Sequence, residues 1–230
     1  LVAPRDGWPN PAAVPVAAGG ADIIENATVY SSVGDAAHDI GFLAALSARR
    51  RDLPVRYADP RQTSSEILGH GGRSGLMFGP EASGLDNDEV ALADCLVTAP
   101  LNPEYPSLNL AQAVLLMAWE WRMAALAATD DNGLARQDAD RDTTSTSRRD
   151  PAREPRRDAP ASIQERDRFH QRLEAELDAG GFFISPEMAP AVKRNLRALF
   201  ARAAPSSQEI STLHGVIQAL TKTRNRNKSG

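Results

Sequence analysis

Four short apolar runs constrain this chain more than any other feature: Leu1–Ala3, Phe42–Leu46, Leu76–Phe78 and Cys95–Thr98. None of them alternates apolar with polar residues. A strand with one wet face alternates, whereas a strand covered on both faces does not. The runs therefore predict strands buried on both sides. Helical or turn-rich segments lie between them, roughly Ala12–Gly19, Gly34–His38, Arg61–Leu68 and Asn87–Ala91. That order predicts an α/β fold with a mainly parallel sheet. A longer apolar stretch, Leu110–Ala128, is interrupted by Gln112, Glu120 and Arg122. It reads as a helix closing the sheet domain and not as a membrane span.

The composition changes after residue 128. Residues 129–162 hold almost no apolar side chains and several prolines. Such a segment cannot bury enough surface to offset its ordering entropy. The chain thus divides into a sheet domain at 1–128, a flexible linker at 129–162 and a helical extension at 163–230. In the extension, Ser162 with Glu165 and Ser206 with Glu209 form capping-box patterns. Phe169, Leu173 and Leu177 follow the first, and Ile210, Leu213, Ile217 and Leu220 follow the second. Gly180-Gly181 stops the first helix. Ser185-Pro186 restarts one, with proline at its first position. Three helices result.

The net charge of −4 hides an asymmetry. The sheet domain carries −7, the linker −1 and the extension +4. A basic C-terminal part suits a polyanion partner, or is simply a solvated face. Its helix with Lys193, Arg194 and Arg197 is the candidate contact. The single cysteine, Cys95, cannot form an internal disulfide and sits in an apolar run. It reads as a core residue of a cytoplasmic protein. His38, His70, His170 and His214 lack metal-ligand spacing, so no metal is expected. No phosphate-binding lysine loop, nucleophile elbow or dinucleotide fingerprint occurs, which argues against nucleotide hydrolysis, serine hydrolysis and classical dehydrogenase chemistry. The chain opens on Leu1 and not on methionine, which suggests that further residues precede it.

Two loops follow predicted strands and so fall where open α/β sheets bind ligands. The first is Gly79-Pro80-Glu81-Ala82-Ser83-Gly84-Leu85. Its glycines allow close backbone approach, although glycine-rich turns are also common between strand and helix. Glu81 can accept backbone N–H bonds and brace the loop, or be a solvated turn residue. The second loop runs from Ala99 to Asn109 and is stiffened by Pro100, Pro103 and Pro106. Ser107 and Asn109 open the next helix. Taken singly, both are ordinary helix caps, but a capped helix N-terminus also presents donors to a ligand.

Together the two loops resemble the second and third motifs of the SpoU branch of the SPOUT RNA methyltransferases. Gly79 to Leu85 looks like G-x-E-x-x-G-L. Asn102-Pro103-Glu104-Tyr105-Pro106-Ser107-Leu108-Asn109-Leu110-Ala111 looks like N-P-x-x-x-S-L-N-x-A. Pro4 to Asn10, Ser47-Ala48-Arg49, Asp59-Pro60-Arg61 and the run from Phe183 to Leu220 are similar to a subgroup that methylates tRNA in the anticodon loop. Pro80 departs from that subgroup, which often has arginine there. The family's first motif, N-x-G-x-x-x-R, falls before the region matching Leu1.

The resemblance implies a trefoil knot in the C-terminal half of the sheet domain, a rare exception to unknotted folding. It implies a homodimer that binds S-adenosyl-L-methionine and methylates ribose 2′-oxygens, for this subgroup on cytidine or uridine 32 of tRNA. By position, Ser47, Ala48, Gly79, Glu81, Ala99, Pro106, Ser107 and Leu108 would form the cofactor pocket. Ser107 and Asn109 would stand near the reacting ribose. Arg49, Lys193, Arg194 and Arg197 would meet RNA. The alternative is a non-catalytic dimeric module that binds RNA or the cofactor without turnover.

Overall fold

The computed structural model of the chain describes residues 1–49, 51, 53–105, 107–139 and 159–228, with the backbone alone for 130–139 and 223–228. Four strands form one sheet: β1 (Phe42–Leu46), β2 (Arg56–Ala58), β3 (Ser74–Met77) and β4 (Cys95–Val97). Their order is β2-β4-β1-β3, and every neighbouring pair is parallel. The α/β class and the parallel sheet follow the sequence expectation.

The central strands show why their sequences do not alternate. Leu43 and Ala45 of β1 and Leu96 of β4 face one core, with Val55, Leu85 and Val90. Ala44, Cys95 and Val97 face the other, with Ala58 and Met117. Register pairs Ala45 with Leu96 on one face, small against large, and Ala44 with Cys95 on the other, where two small side chains leave room for Met117. The edge strand β2 was not legible as an apolar run. Its Arg56 and Tyr57 reach toward solvent and only Ala58 is buried.

Leu1–Ala3 forms no strand. Val2 makes a lone parallel bridge with Tyr30, through Ala3 N to Tyr30 O at 2.9 Å and Tyr30 N to Leu1 O at 2.9 Å. Pro4 has no N–H with which to continue the ladder. Likewise Ala12–Gly19 holds only a 3-10 turn, Val14–Val16, with Pro15 inside it. Two short helices precede the sheet, α1 (Ala21–Glu25) and α2 (Val33–Ala36). The first has no signal beyond its acidic first turn.

Helix α3 (Pro60–Gly69) follows β2, with Asp59 as its cap accepting from Gln62 N at 2.8 Å. Helix α4 (Asn87–Val90) carries a reciprocal box between Asp86 and Glu89. Helix α5 (Leu110–Ala139) packs on α3, and Arg61 reaches Glu120 between them. α5 runs well past Ala128, so the helix takes up the start of the segment read as linker. Residues 140–158 of that segment lie outside the described residues.

The extension forms α6 (Ile163–Ala179), α7 (Ala189–Ala203) and α8 (Ser207–Lys228). Both expected capping boxes close: Glu165 N donates to Ser162 Oγ at 3.3 Å, and Glu209 N to Ser206 Oγ at 3.3 Å. Pro186 does not open α7. Residues 185–188 form a turn, and Pro190 occupies the first turn of the helix instead. Phe169 sits at the centre of this bundle among Ile210, Ile217 and Phe200, with the Phe200 ring edge-on at 4.8 Å.

The bundle shares a core with the sheet. Ile163 and Ala198 join the cluster that contains Leu43 and Leu96. Ile163 N donates to Ile40 O at 2.9 Å, and Gln164 N to His38 O at 3.0 Å. Arg166 pairs with Asp94, both buried, and Asp94 Oδ2 also accepts Leu43 N at 2.8 Å. This ion pair spans the sheet domain and the extension. Residues 159–162 belong to the junction as well: Ala161 N donates to Pro205 O at 2.9 Å.

Candidate functional site

The carboxyl ends of β1, β3 and β4 open into three loops that meet around one cleft of about 220 Å³. Seven residues singled out as the cofactor pocket converge on it: Ser47, Ala48, Gly79, Glu81, Ala99, Ser107 and Leu108. Pro106 lies outside the described residues. Arg49 also lines the cleft, at its exposed rim.

Each loop is held by local bonds. After β1, Ser47 N donates to Val97 O at 3.2 Å, which ties the turn to β4. Arg49 N then donates to Ser47 Oγ at 3.2 Å and closes a small side-chain turn. After β3, Gly84 N donates to Pro80 O at 2.7 Å, with Gly84 at φ +66°. This loop folds back on its own start. A Cβ on Gly79 would lie 2.3 Å from Leu85 N, so only glycine fits there. After β4, Tyr105 N donates to Asn102 O at 2.9 Å, and Glu104 N to Asn102 Oδ1 at 3.0 Å.

Glu81 does not brace its loop. Its side chain is exposed and makes no hydrogen bond among the described residues; the Pro80–Gly84 bond does that work. Asn109 does not line the cleft. Its Oδ1 accepts Gln112 N at 2.8 Å, and its own N–H reaches Gln112 Oε1 at 3.3 Å. It is the cap of α5, and it fixes where that helix begins. Ser107, two residues earlier, lines the cleft, as do Ser47 and Ser83.

The basic residues of α7 are engaged inside the protein. Arg197 bonds Asp167 at 2.8 Å and Glu174 at 3.0 Å and is half-buried. Lys193 lies 3.7 Å from Glu174 and 5.1 Å above the Phe183 ring. Arg194 reaches Asp88 of α4 at 3.3 Å. These pairs join the bundle to itself and to the sheet domain, and they neutralise much of the charge that marked α7 as an RNA contact.

One cleft residue escaped the sequence reading. Arg51 lines the cleft and bonds Asn87 Oδ1 at 2.7 Å and the Leu85 carbonyl. The sequence signal was its place in the same basic run as Arg49, just after β1. Cys95 takes no part in the cleft: burial pushes its thiol up to about 11, which keeps it protonated. Among the described residues, no cluster of histidine, cysteine and carboxylate could hold a metal ion, and no helix is long and apolar enough to cross a membrane.

The chemistry such a cleft can perform is bounded by its walls. Leu46, Val97, Leu101 and Leu108 offer an apolar slot, while Ser47, Ser107 and loop backbone offer hydrogen bonds. That combination takes a flat, partly apolar ligand with polar edges.

Comparison with known proteins matches two stretches of the chain. Residues 1–119 match the SpoU rRNA Methylase family, and residues 164–229 match the C-terminal domain of the tRNA methyltransferase TrmJ. The tRNA (cytidine/uridine-2′-O-)-methyltransferase TrmJ of Klebsiella pneumoniae is 35% identical over 92% of this chain and 80% of its own length. The Escherichia coli protein of that name is 34% identical over 96% and 83%. The crystal structure of TrmJ from Z. mobilis superposes with a TM-score of 0.77 at 36% identity, covering 96% of this chain and 85% of that one. A probable methylase family protein from Haemophilus influenzae gives 0.54 at 26% identity. The chain belongs to the SpoU methylase family and is a homologue of the TrmJ tRNA 2′-O-methyltransferases.

Proposed function

We propose that the protein transfers a methyl group from S-adenosyl-L-methionine to a ribose 2′-oxygen of tRNA, on cytidine or uridine 32 of the anticodon loop. The observation that carries this reading is the convergence of three separate loops on one cleft at the carboxyl edge of a parallel sheet. The cleft suits the cofactor: an apolar slot for a purine, backbone groups at its edges, and a glycine where any side chain would collide.

When bound, the cofactor supplies a methyl group already activated by its sulfonium charge. The protein's residues then have two tasks, to hold the ribose and to shield the reacting pair. The Ser107 hydroxyl, at the cleft, can accept or donate a hydrogen bond to the 2′-OH and so orient it. Correct orientation is worth several kcal/mol, up to about 7–11 in model reactions. Asn109 acts at one remove, because its cap sets the first turn of α5 and thereby the place of Ser107. The 2′-OH is also what separates RNA from DNA at such a site.

The knot of the family lies in the loops after β3 and β4. A second copy covers the outer face of α5, where Leu115, Trp119 and Met123 stand exposed at helical spacing. The exposed Arg49 at the rim of the cleft meets the RNA backbone, in the cytoplasm where tRNA is processed.

Methyl transfer to tRNA from labelled S-adenosylmethionine, with the modified ribose mapped, tests the reading. Ser107→Ala is expected to lower turnover at least tenfold with the fold intact, as judged by circular dichroism. Cofactor binding without transfer to any tRNA would leave the non-catalytic module in its place. Methylation of a base would overturn the 2′-oxygen assignment.

A further inference from the structure

We propose that Arg51 is a positioning residue for the cofactor cleft, holding the Gly79–Leu85 loop in the shape that forms one wall. The proposal deepens the reading above and rests on that cleft being the cofactor site.

Arg51 is anchored before it reaches out. Its backbone N–H donates to the Tyr57 phenol at 3.0 Å, and the phenol donates back to the Arg51 carbonyl at 3.5 Å. Tyr57 belongs to β2, so the arginine is fixed to the sheet and not merely to a loop. From there its guanidinium makes two contacts. One nitrogen donates to Asn87 Oδ1 at 2.7 Å, at the first turn of α4, and the other to the Leu85 carbonyl.

Leu85 is the lever. Its side chain is buried in the sheet core, and its backbone N lies directly against Gly79. That contact leaves no room for even a methyl group, so the position of the Leu85 backbone sets how far Gly79 can sit from the cleft. Whatever fixes the Leu85 carbonyl therefore fixes Gly79, which lines the cleft. No carboxylate forms an ion pair with Arg51 among the described residues. Its charge is used on two neutral acceptors, and charge-assisted bonds are stronger than neutral ones. The planar fork is specific to arginine; lysine has three donors on one nitrogen and cannot span two acceptors held that far apart in a fixed geometry.

The test is Arg51→Met, which keeps the apolar stem and removes both bonds, beside Arg51→Lys and Asn87→Ala. Arg51→Met is expected to raise the dissociation constant for S-adenosylmethionine, measured by calorimetry, and its KM by about tenfold, with kcat changed less than about twofold. Arg51→Lys should recover part of this. Asn87→Ala should give a smaller rise that disappears in the Arg51→Met background. Amide hydrogen exchange across residues 79–85 should quicken in Arg51→Met without ligand. Unchanged exchange and affinity would overturn the proposal, as would a fall in kcat at constant cofactor KM, which would mark direct contact with RNA. If Arg51→Met fails to fold, Asn87→Ala alone decides by the same two readouts. Should the wild-type protein bind no S-adenosylmethionine, the cofactor reading fails, while exchange across 79–85 still reports on the strut.

Discussion

At the carboxyl ends of β1, β3 and β4 the protein presents loops held by a few neutral turn and cap bonds and one arginine, whereas at their amino ends it buries an ion pair. The first end includes the Pro80–Gly84 turn, the Ser47–Arg49 turn and the Asn109 cap. The second includes Asp94, Arg166, the Leu43 amide and two backbone bonds from the start of α6. The contrast separates two functions. A ligand site needs exposed donors and small rearrangements, so its bonds are individually weak. A domain junction needs one fixed arrangement, and a buried charge pair, with both terminal guanidinium nitrogens of Arg166 bonded to Asp94, enforces it. The price is that losing one partner strands a charge in the core.

That contrast can be broken at the junction first. Arg166→Met leaves Asp94 buried without its cation and is expected to cost about 3–5 kcal/mol in denaturant unfolding. A companion Asp94→Leu should recover much of the loss, because it removes the stranded carboxylate. Equal instability in the single and double variants would show that packing, and not charge, holds the bundle to the sheet.

The next effect is in pH. Burial, reinforced by the Arg197 cation, pushes His170 down to about 4 from its ordinary value near 6.5. Between those values the unfolded chain takes up a proton that the folded protein refuses. Stability should therefore fall as pH drops from about 6.5 to about 4, by up to roughly 3 kcal/mol. His170→Phe should flatten that slope, and an unchanged slope would assign it to other groups. The cleft should show no such dependence in its ligand affinity at constant fold.

At the other end the effects turn from stability to binding. Gly79→Ala would force the loop away from Leu85. Its expected signature is a loss of cofactor affinity of about tenfold, or 1.4 kcal/mol, with the melting temperature little changed. Smallest is the cap. Asn109→Ala should cost about 1 kcal/mol, and Asn109→Asp should restore it and retain methyl transfer. Loss of transfer in a stable Asn109→Asp protein would instead place the amide at the ribose.

The two ends also differed in how much the sequence disclosed. The loops were legible, because glycines, prolines and caps act locally and leave fixed spacings, and seven of the residues named from them line one cleft. Asn109 was legible as a cap and less so as a ligand residue. The junction was hidden. Asp94 and Arg166 are far apart in the chain, and each alone looks like a surface charge. The same blindness made Lys193, Arg194 and Arg197 look free, when their acidic partners come from α6 and α4. Edge strand β2 was missed for a related reason, since a strand with one exposed side carries too few apolar residues to announce itself.

Cys95 gives the sheet a use of its own. It is the chain's only thiol, sits in the strand bonded to both β1 and β2, and is kept protonated by its surroundings. An alkylating reagent can reach it only when the sheet opens. Its labelling rate is then a clock for opening of the central strands, one that motions of the cleft loops do not advance and that can be read in the native enzyme with ligand present or absent.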